Sequence, residues 1–284
     1  MKMRVVTDSS TNVPDAELAR LNIVEVPAIV NFGAESFLNK VEITTEEFYR
    51  RLAAAEKLPT TAQPTPRQFA QTYARLAAEG AEEIIVVTVS SKLSGTLSSA
   101  VLAAENAAIK VHPWDSLNAS IGAGMQAIAA AEMARAGLPS AELLRHLGGI
   151  RNRMQTATTP ATLRYLIASG RAPKLQSSIG ELLDIKPILA ISHGLLEPVG
   201  RARGRRRALQ AMLDLVATAI GDRPARVAVA HANVADEARE FLAVVKARFQ
   251  TDEPLFTELG PVLATLAGPG LIALGAYTLE EHDA

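Results

Sequence analysis

Glu83-Ile84-Ile85-Val86-Val87-Thr88-Val89 runs directly into Ser90-Ser91-Lys92-Leu93-Ser94-Gly95-Thr96. The first seven residues are continuous, apolar and mostly β-branched. That is the pattern of a strand covered on both faces, as in a parallel sheet. The next seven are small and hydroxyl-bearing, and they feed a helix predicted to run to about residue 108. A second apolar run follows at 109–114, then a long Ala-rich helix over 117–136. Strand, loop, helix and strand in that order make a βαβ unit, so the fold class is α/β.

Toward the N-terminus the same rhythm continues. Residues 4–7 read as a strand, polar residues 8–12 follow, and Pro14 opens a short helix. A further strand is expected over 23–30. Thr44-Thr45-Glu46-Glu47 matches a capping box for a helix to about residue 56. Residues 58–66 contain Pro59, Pro64 and Pro66 and cannot be helical inside. Thr65 then caps a helix opened by Pro66, with Gln68 reaching back. These elements predict a Rossmann-like parallel sheet with helices on both faces.

The second half reads differently. After Pro139 a helix runs to about 152, and strands are expected near 155–158, 186–191, 195–199, 226–231 and 270–278. Ser192-His193-Gly194 joins two of them as a hairpin. This gives a two-domain division, an α/β domain over 1–152 and an α+β domain over 153–284.

Composition narrows the function. The 284 residues carry 29 Lys+Arg against 30 Asp+Glu, and 48% are hydrophobic. That balance gives no reason to expect nucleic-acid binding. With no cysteine, disulfides, thiol catalysis and iron–sulfur clusters are excluded. The N-terminal apolar run is too short for a signal-peptide core, and Gln126 and Glu132 interrupt the Ala-rich helix. The expectation is a cytoplasmic protein without stable membrane insertion.

Hydroxyl and amide residues gather at predicted element ends: 7–10, 60–65 and 90–96. Ligands of open α/β sheets bind outside the carboxyl ends of strands. The N-terminus after Gly95 favours an anion, and Ser94 and Thr96 either complete that cradle or simply cap the helix. The loop lacks GxxxxGK[ST], so it is not a nucleotide loop. Asp8 either holds a cation or caps a turn, and the turn is the preferred reading. Five arginines, Arg201, Arg203, Arg205, Arg206 and Arg207, surround a predicted helix start, where cations oppose the dipole. They form either an anion site or a solvated face. His112, His146, His193, His231 and His282 show no metal-ligand spacing, so no metal site is expected. His231, at a strand end, is the best polar candidate, and a hydrolase or transferase pairing it with Ser94 is one reading. Residues 260–275 read as apolar core with a Gly-Pro-Gly turn before a last strand.

Taken in order, these residues resemble the DegV family of bacterial fatty-acid-binding proteins. Thr7-Asp8-Ser9-Ser10, Leu58-Pro59-Thr60-Thr61-Ala62-Gln63-Pro64 and Ser90-Ser91-Lys92-Leu93-Ser94-Gly95-Thr96 are similar to its signature loops. Leu166-Ile167-Ala168-Ser169-Gly170-Arg171, Ile185-Lys186-Pro187-Ile188-Leu189, Arg203 with Arg205, and Gly268-Pro269-Gly270 follow in family order. The resemblance implies one long-chain fatty acid enclosed between the two domains, with no other cofactor. Its carboxylate would be held by Thr61, Ser94 and the Gly95 backbone. It also implies a separate ATP-binding kinase subunit as partner, which makes an acyl phosphate for phospholipid synthesis, and no catalytic residue in this chain. Arg171 and Arg203 would contact the phosphate or that subunit. Where the family often carries His-Thr before Gly-Pro-Gly, this chain has Leu266-Ala267, and Gly204 replaces a frequent Thr. That leaves a second reading open, a carrier or regulator of another lipid without a kinase. Small side chains suit a narrow tunnel, and the Ala-rich helices 97–108 and 119–134 are its expected walls.

Overall fold

The computed structural model describes residues 2–178 and 184–280; His282 lies outside them. In chain order, β1 (Met3–Asp8), α1 (Asp15–Leu21), β2 (Val24–Val26), β3 (Ile29–Phe32) and β4 (Glu35–Leu38) lead into α2 (Thr45–Ala54). Then come β5 (Thr60–Ala62), α3 (Pro66–Ala78), β6 (Glu83–Thr88), α4 (Thr96–Ala104), β7 (Lys110–Asp115), α5 (Ile121–Arg135) and α6 (Ser140–Arg153). The rest is β8 (Gln155–Thr159), α7 (Arg164–Ser169), a 3-10 turn (Pro173–Ser178), β9 (Ile185–Ser192), β10 (Leu195–Arg203), α8 (Arg205–Ile220) and β11 (Ala225–His231), followed by α9 (Ala235–Arg248), β12 (Leu255–Glu258), α10 (Pro261–Ala267) and β13 (Ile272–Thr278).

Among the described residues these strands form three sheets. The first is parallel, in the order β2-β1-β6-β7, and the expected βαβ unit lies in it. Val86 and Val87 at its centre are fully buried, as a strand with both faces covered requires. The second is a mixed six-stranded sheet, β10-β9-β8-β13-β11-β12. The hairpin turn is present, with β9 antiparallel to β10 and His193 and Gly194 both at positive φ.

Two expectations need correction. The strand expected over 23–30 is two strands in different sheets. Pro27 cannot donate to a ladder, so β2 stops at Val26 and β3 starts a new, three-stranded sheet, β4-β3-β5. The segment 260–275 also hides a helix, α10, opened by Pro261. It packs back against β3, β5 and α2, and Val262 N–H donates to Asn39 Oδ1 at 3.0 Å.

Of the two cap signals one is complete and the other, at Thr44, forms only its first half. Thr65 and Gln68 form the reciprocal box. Thr44 accepts from Glu47 N–H at 3.1 Å, while the Glu47 carboxylate turns instead to Arg50 and Arg51.

α5 lies between the two large sheets, touching β1 and β6 on one side and β11 and β13 on the other. Its apolar residues surround the axis, which is what burial on every face demands. Gln126 is the buried polar exception. It accepts from Trp114 Nε1 at 2.9 Å and donates to the Ser116 and Gly122 carbonyls. One core cluster runs through α5, from Val5 and Ile85 to Ala228 and Tyr277.

Candidate functional site

The carboxyl edge of the parallel sheet is tied together by Asp8. Its Oδ1 accepts from Ser10 N–H and its Oδ2 from Val89 N–H, both at 2.8 Å. Burial pushes its carboxyl pKa up, and these backbone bonds oppose that shift. The turn role expected of Asp8 is therefore present, and it also fixes where β6 ends. The loop after β6 winds round Ser90, whose carbonyl accepts from Leu93 and Ser94 N–H. The Ser90 hydroxyl donates to Gly194 O at 2.8 Å, so the β9–β10 hairpin tip is pinned to the loop.

α4 begins at Gly95 without a side-chain cap bond. The Ser94 hydroxyl lies 2.8 Å from Thr96 Oγ1 and accepts from Thr96 N–H at 3.3 Å. A Cβ at Gly95 would fall 2.5 Å from Gln63 Nε2, so glycine lets the 60–64 segment close over the helix start.

This edge opens onto a cavity of about 460 Å³. Thr61, Ser94 and Gly95 all line it. Ligand pockets run to roughly 300–1,000 Å³, so the space is large enough for one small-molecule ligand. Much of the rest of its lining is apolar, including Ile121, Leu189, Ile191, Leu263, Leu266 and Leu274, with Thr156 and Thr158 of β8 as polar exceptions. The charged residues lining it, among those described, are Lys92 and Arg171, both cations. Both are exposed, so positive charge stands at its edge rather than along its walls. The chemistry suits an amphipathic anion: donors for a small negative group, beside a largely apolar lining.

The structure places the predicted residues unequally. Arg171 lines the cavity and donates to the Ser169 carbonyl. Arg203 is not among the lining residues; it pairs with Ile185, at the far end of the hairpin from the tip that meets Ser90. Arg205 is a strut. Its guanidinium binds both Glu237 oxygens at 2.9 and 3.0 Å, Thr159 O at 3.0 Å and Gly270 O at 2.8 Å. His231 is buried beside Phe256, with Nδ1 3.9 Å from Glu258 Oε1. It does not line the cavity with Ser94, so the Ser–His enzyme reading has no shared site.

The expected walls are also corrected. α4 turns its small residues toward α3, where Tyr73 OH donates to Ala100 O at 3.2 Å. From α5 only the first residue, Ile121, reaches the cavity, because its alanines pack between the sheets. The walls come instead from β8, β9, α10 and β13. Lys92, Gln63 and Ser120 are lining residues that were not singled out for the site. Lys92 and Gln63 stood inside the quoted loops, and their polarity was the available signal. Among the described residues no three His, Asp or Glu side chains gather to hold a metal ion. No helix among them is long and apolar enough to cross a membrane.

Comparison with known proteins fits this geometry. The DegV family matches residues 2–279. A DegV domain-containing protein of Halalkalibacterium halodurans is 33% identical over 281 residues, covering 97% of this chain and 98% of its own. A fatty acid-binding protein of Thermotoga maritima is 31% identical, with 99% of both chains covered. The solved structure of a fatty-acid-binding DegV family protein from Thermus thermophilus superimposes with a TM-score of 0.90 at 32% identity, covering 98% of this chain and 100% of that one.

Proposed function

Because this chain belongs to the DegV family, we propose that it binds one long-chain fatty acid in the cavity and presents the carboxylate to a separate ATP-dependent kinase subunit. The observation that carries this reading is the cavity itself, lined largely by apolar side chains, with the Thr61 and Ser94 hydroxyls and the start of α4 also on it and its two cations exposed. Each exposed methylene of a free acid costs about 0.8 kcal/mol, which favours enclosing the whole chain. The carboxylate is held by the Thr61 and Ser94 hydroxyls and the Gly95 end of α4. These donors are neutral, so an oxygen keeps the electron pair it needs to attack the γ-phosphorus of ATP on the partner. The new O–P bond gives the acyl phosphate, and ADP leaves. The division at 152/153 puts one half of the chain on each side of the acid. Arg171, at the cavity edge, meets the phosphoryl group, and Arg203 meets the kinase. The protein acts in the cytoplasm and supplies no catalytic group of its own.

That Arg203 does not line the cavity favours a second reading, a lipid carrier that meets no kinase. Native followed by denaturing mass spectrometry tests the ligand. One fatty acid per chain, released on denaturation, is expected. An empty protein that refuses added oleate and palmitate would overturn the assignment. Loss of kinase binding in Arg203→Ala separates the two readings.

A further inference from the structure

Beside the main cavity lies a side chamber of about 200 Å³. Leu58, Pro59, Tyr165 and Ala168 form much of its wall, with Thr60 and Ser169 supplying hydroxyls. The Tyr165 ring fits there because Gly268 has no Cβ; one would fall 2.1 Å from Cδ2. The two spaces share Thr61, Arg171 and Leu266, and of these only Leu266 is apolar. Its position on α10 explains the sharing. Leu263 lines only the main cavity and Thr265 only the side chamber. At about 100° per residue, Leu266 projects between those two directions. It is the partition.

We propose that Leu266 is a specificity-determining residue that excludes acids substituted at carbon 2, and that the chamber behind it is a subsite for such a substituent. This rests on the fatty-acid reading above. With the carboxylate on Thr61, which lines both spaces, carbon 2 is the first chain carbon to pass the partition. A methyl or hydroxyl there meets the Leu266 side chain. Trimming Leu266 joins the spaces, and Thr60, Ser169 and Arg171 then offer hydrogen-bond partners to a 2-hydroxyl. The chamber lies to one side, so the two enantiomers of a 2-hydroxy acid are no longer equivalent.

The test is displacement of cis-parinaric acid from the delipidated full-length protein by hexadecanoic, 2-methylhexadecanoic and the separate (R)- and (S)-2-hydroxyhexadecanoic acids. The wild type is expected to bind the substituted acids about tenfold or more weakly, the usual scale for one misplaced group in a tight pocket. Leu266→Ala and the milder Leu266→Val should bring the ratio to within about threefold, with one hydroxy enantiomer gaining more than the other. Leu266→Met should keep the wild-type ratio. Leu263→Ala should weaken all the acids alike. A wild type that does not discriminate, or trimmed variants with an unchanged ratio, would overturn the partition alone. No displacement by hexadecanoic acid from the wild type would overturn the fatty-acid reading and the partition with it.

Discussion

Helices α4 and α8 start alike and serve differently. Each follows a strand, each is capped by a glycine without a side-chain cap bond, and neither has an acid in its first turn. α4 continues Thr96-Leu97-Ser98, without charge, and starts at the largely apolar cavity. α8 continues Arg205-Arg206-Arg207, against its own dipole, away from that space. The charge at α8 is used internally, since Arg205 ties the helix start to α9, β8 and the Gly-Pro-Gly turn. A helix start is available to a ligand when it faces a cavity, as α4 does through Ser94 and Gly95, and α8 does not. Charge is neither necessary nor sufficient for it.

The comparison can be broken at either end. The largest effect is expected from Thr61→Val with Ser94→Ala. Two hydrogen bonds to a charged group are lost, at about 1.5–3 kcal/mol each, so palmitate affinity should fall by about a hundredfold or more in calorimetric titration. Unchanged affinity would place the carboxylate elsewhere. Arg205→Ala should instead cost about 2–3 kcal/mol of stability, read as a lower urea midpoint, because a part-buried carboxylate and two carbonyls lose their donor.

A third place shows what a carboxylate does without donors. Glu25 on β2 has a buried Oε2 with no partner, and burial raises its pKa to about 7, with Lys40 opposing and Asp8 and Asp15 adding to the rise. A raised carboxyl pKa gives stability that is full below the unfolded value and is lost as pH rises through 7. Glu25→Gln should therefore match the wild type near pH 4 and exceed it by about 1–2 kcal/mol at pH 8, seen as diverging melting temperatures. The smallest effect is expected from Ser98→Arg, which gives α4 the charge that α8 carries. Palmitate binding should tighten by about two- to fivefold at low ionic strength and return toward wild type at high salt.

Much of this was legible in the sequence. Residues 83–96 announce a strand and a helix start because a strand covered on both faces cannot alternate. Thr65 and Gln68 announce a cap because their chemistry is local. β3, β4 and β5 were not legible as a sheet. They are short strands whose pairing joins residues up to 33 apart, as between Ile29 and Ala62. α10 was hidden because a seven-residue helix flanked by Gly-Pro and Gly-Pro-Gly reads as turn and core. Thr61 and Ser94 could be named from their loops. The cavity walls could not, since α10 reaches the cavity only by packing back onto β3.

The placement of α5 has a consequence for how the molecule comes apart. Neither large sheet can bury this helix alone, because each covers only one side of it. A chain cleaved in the hairpin loops would keep its halves together. One severed near 153 would leave an apolar helix face bare on the first fragment and a bare sheet face on the second. The two sheets are therefore expected to melt in a single cooperative transition, and a ligand bound in the cavity to stabilise both at once.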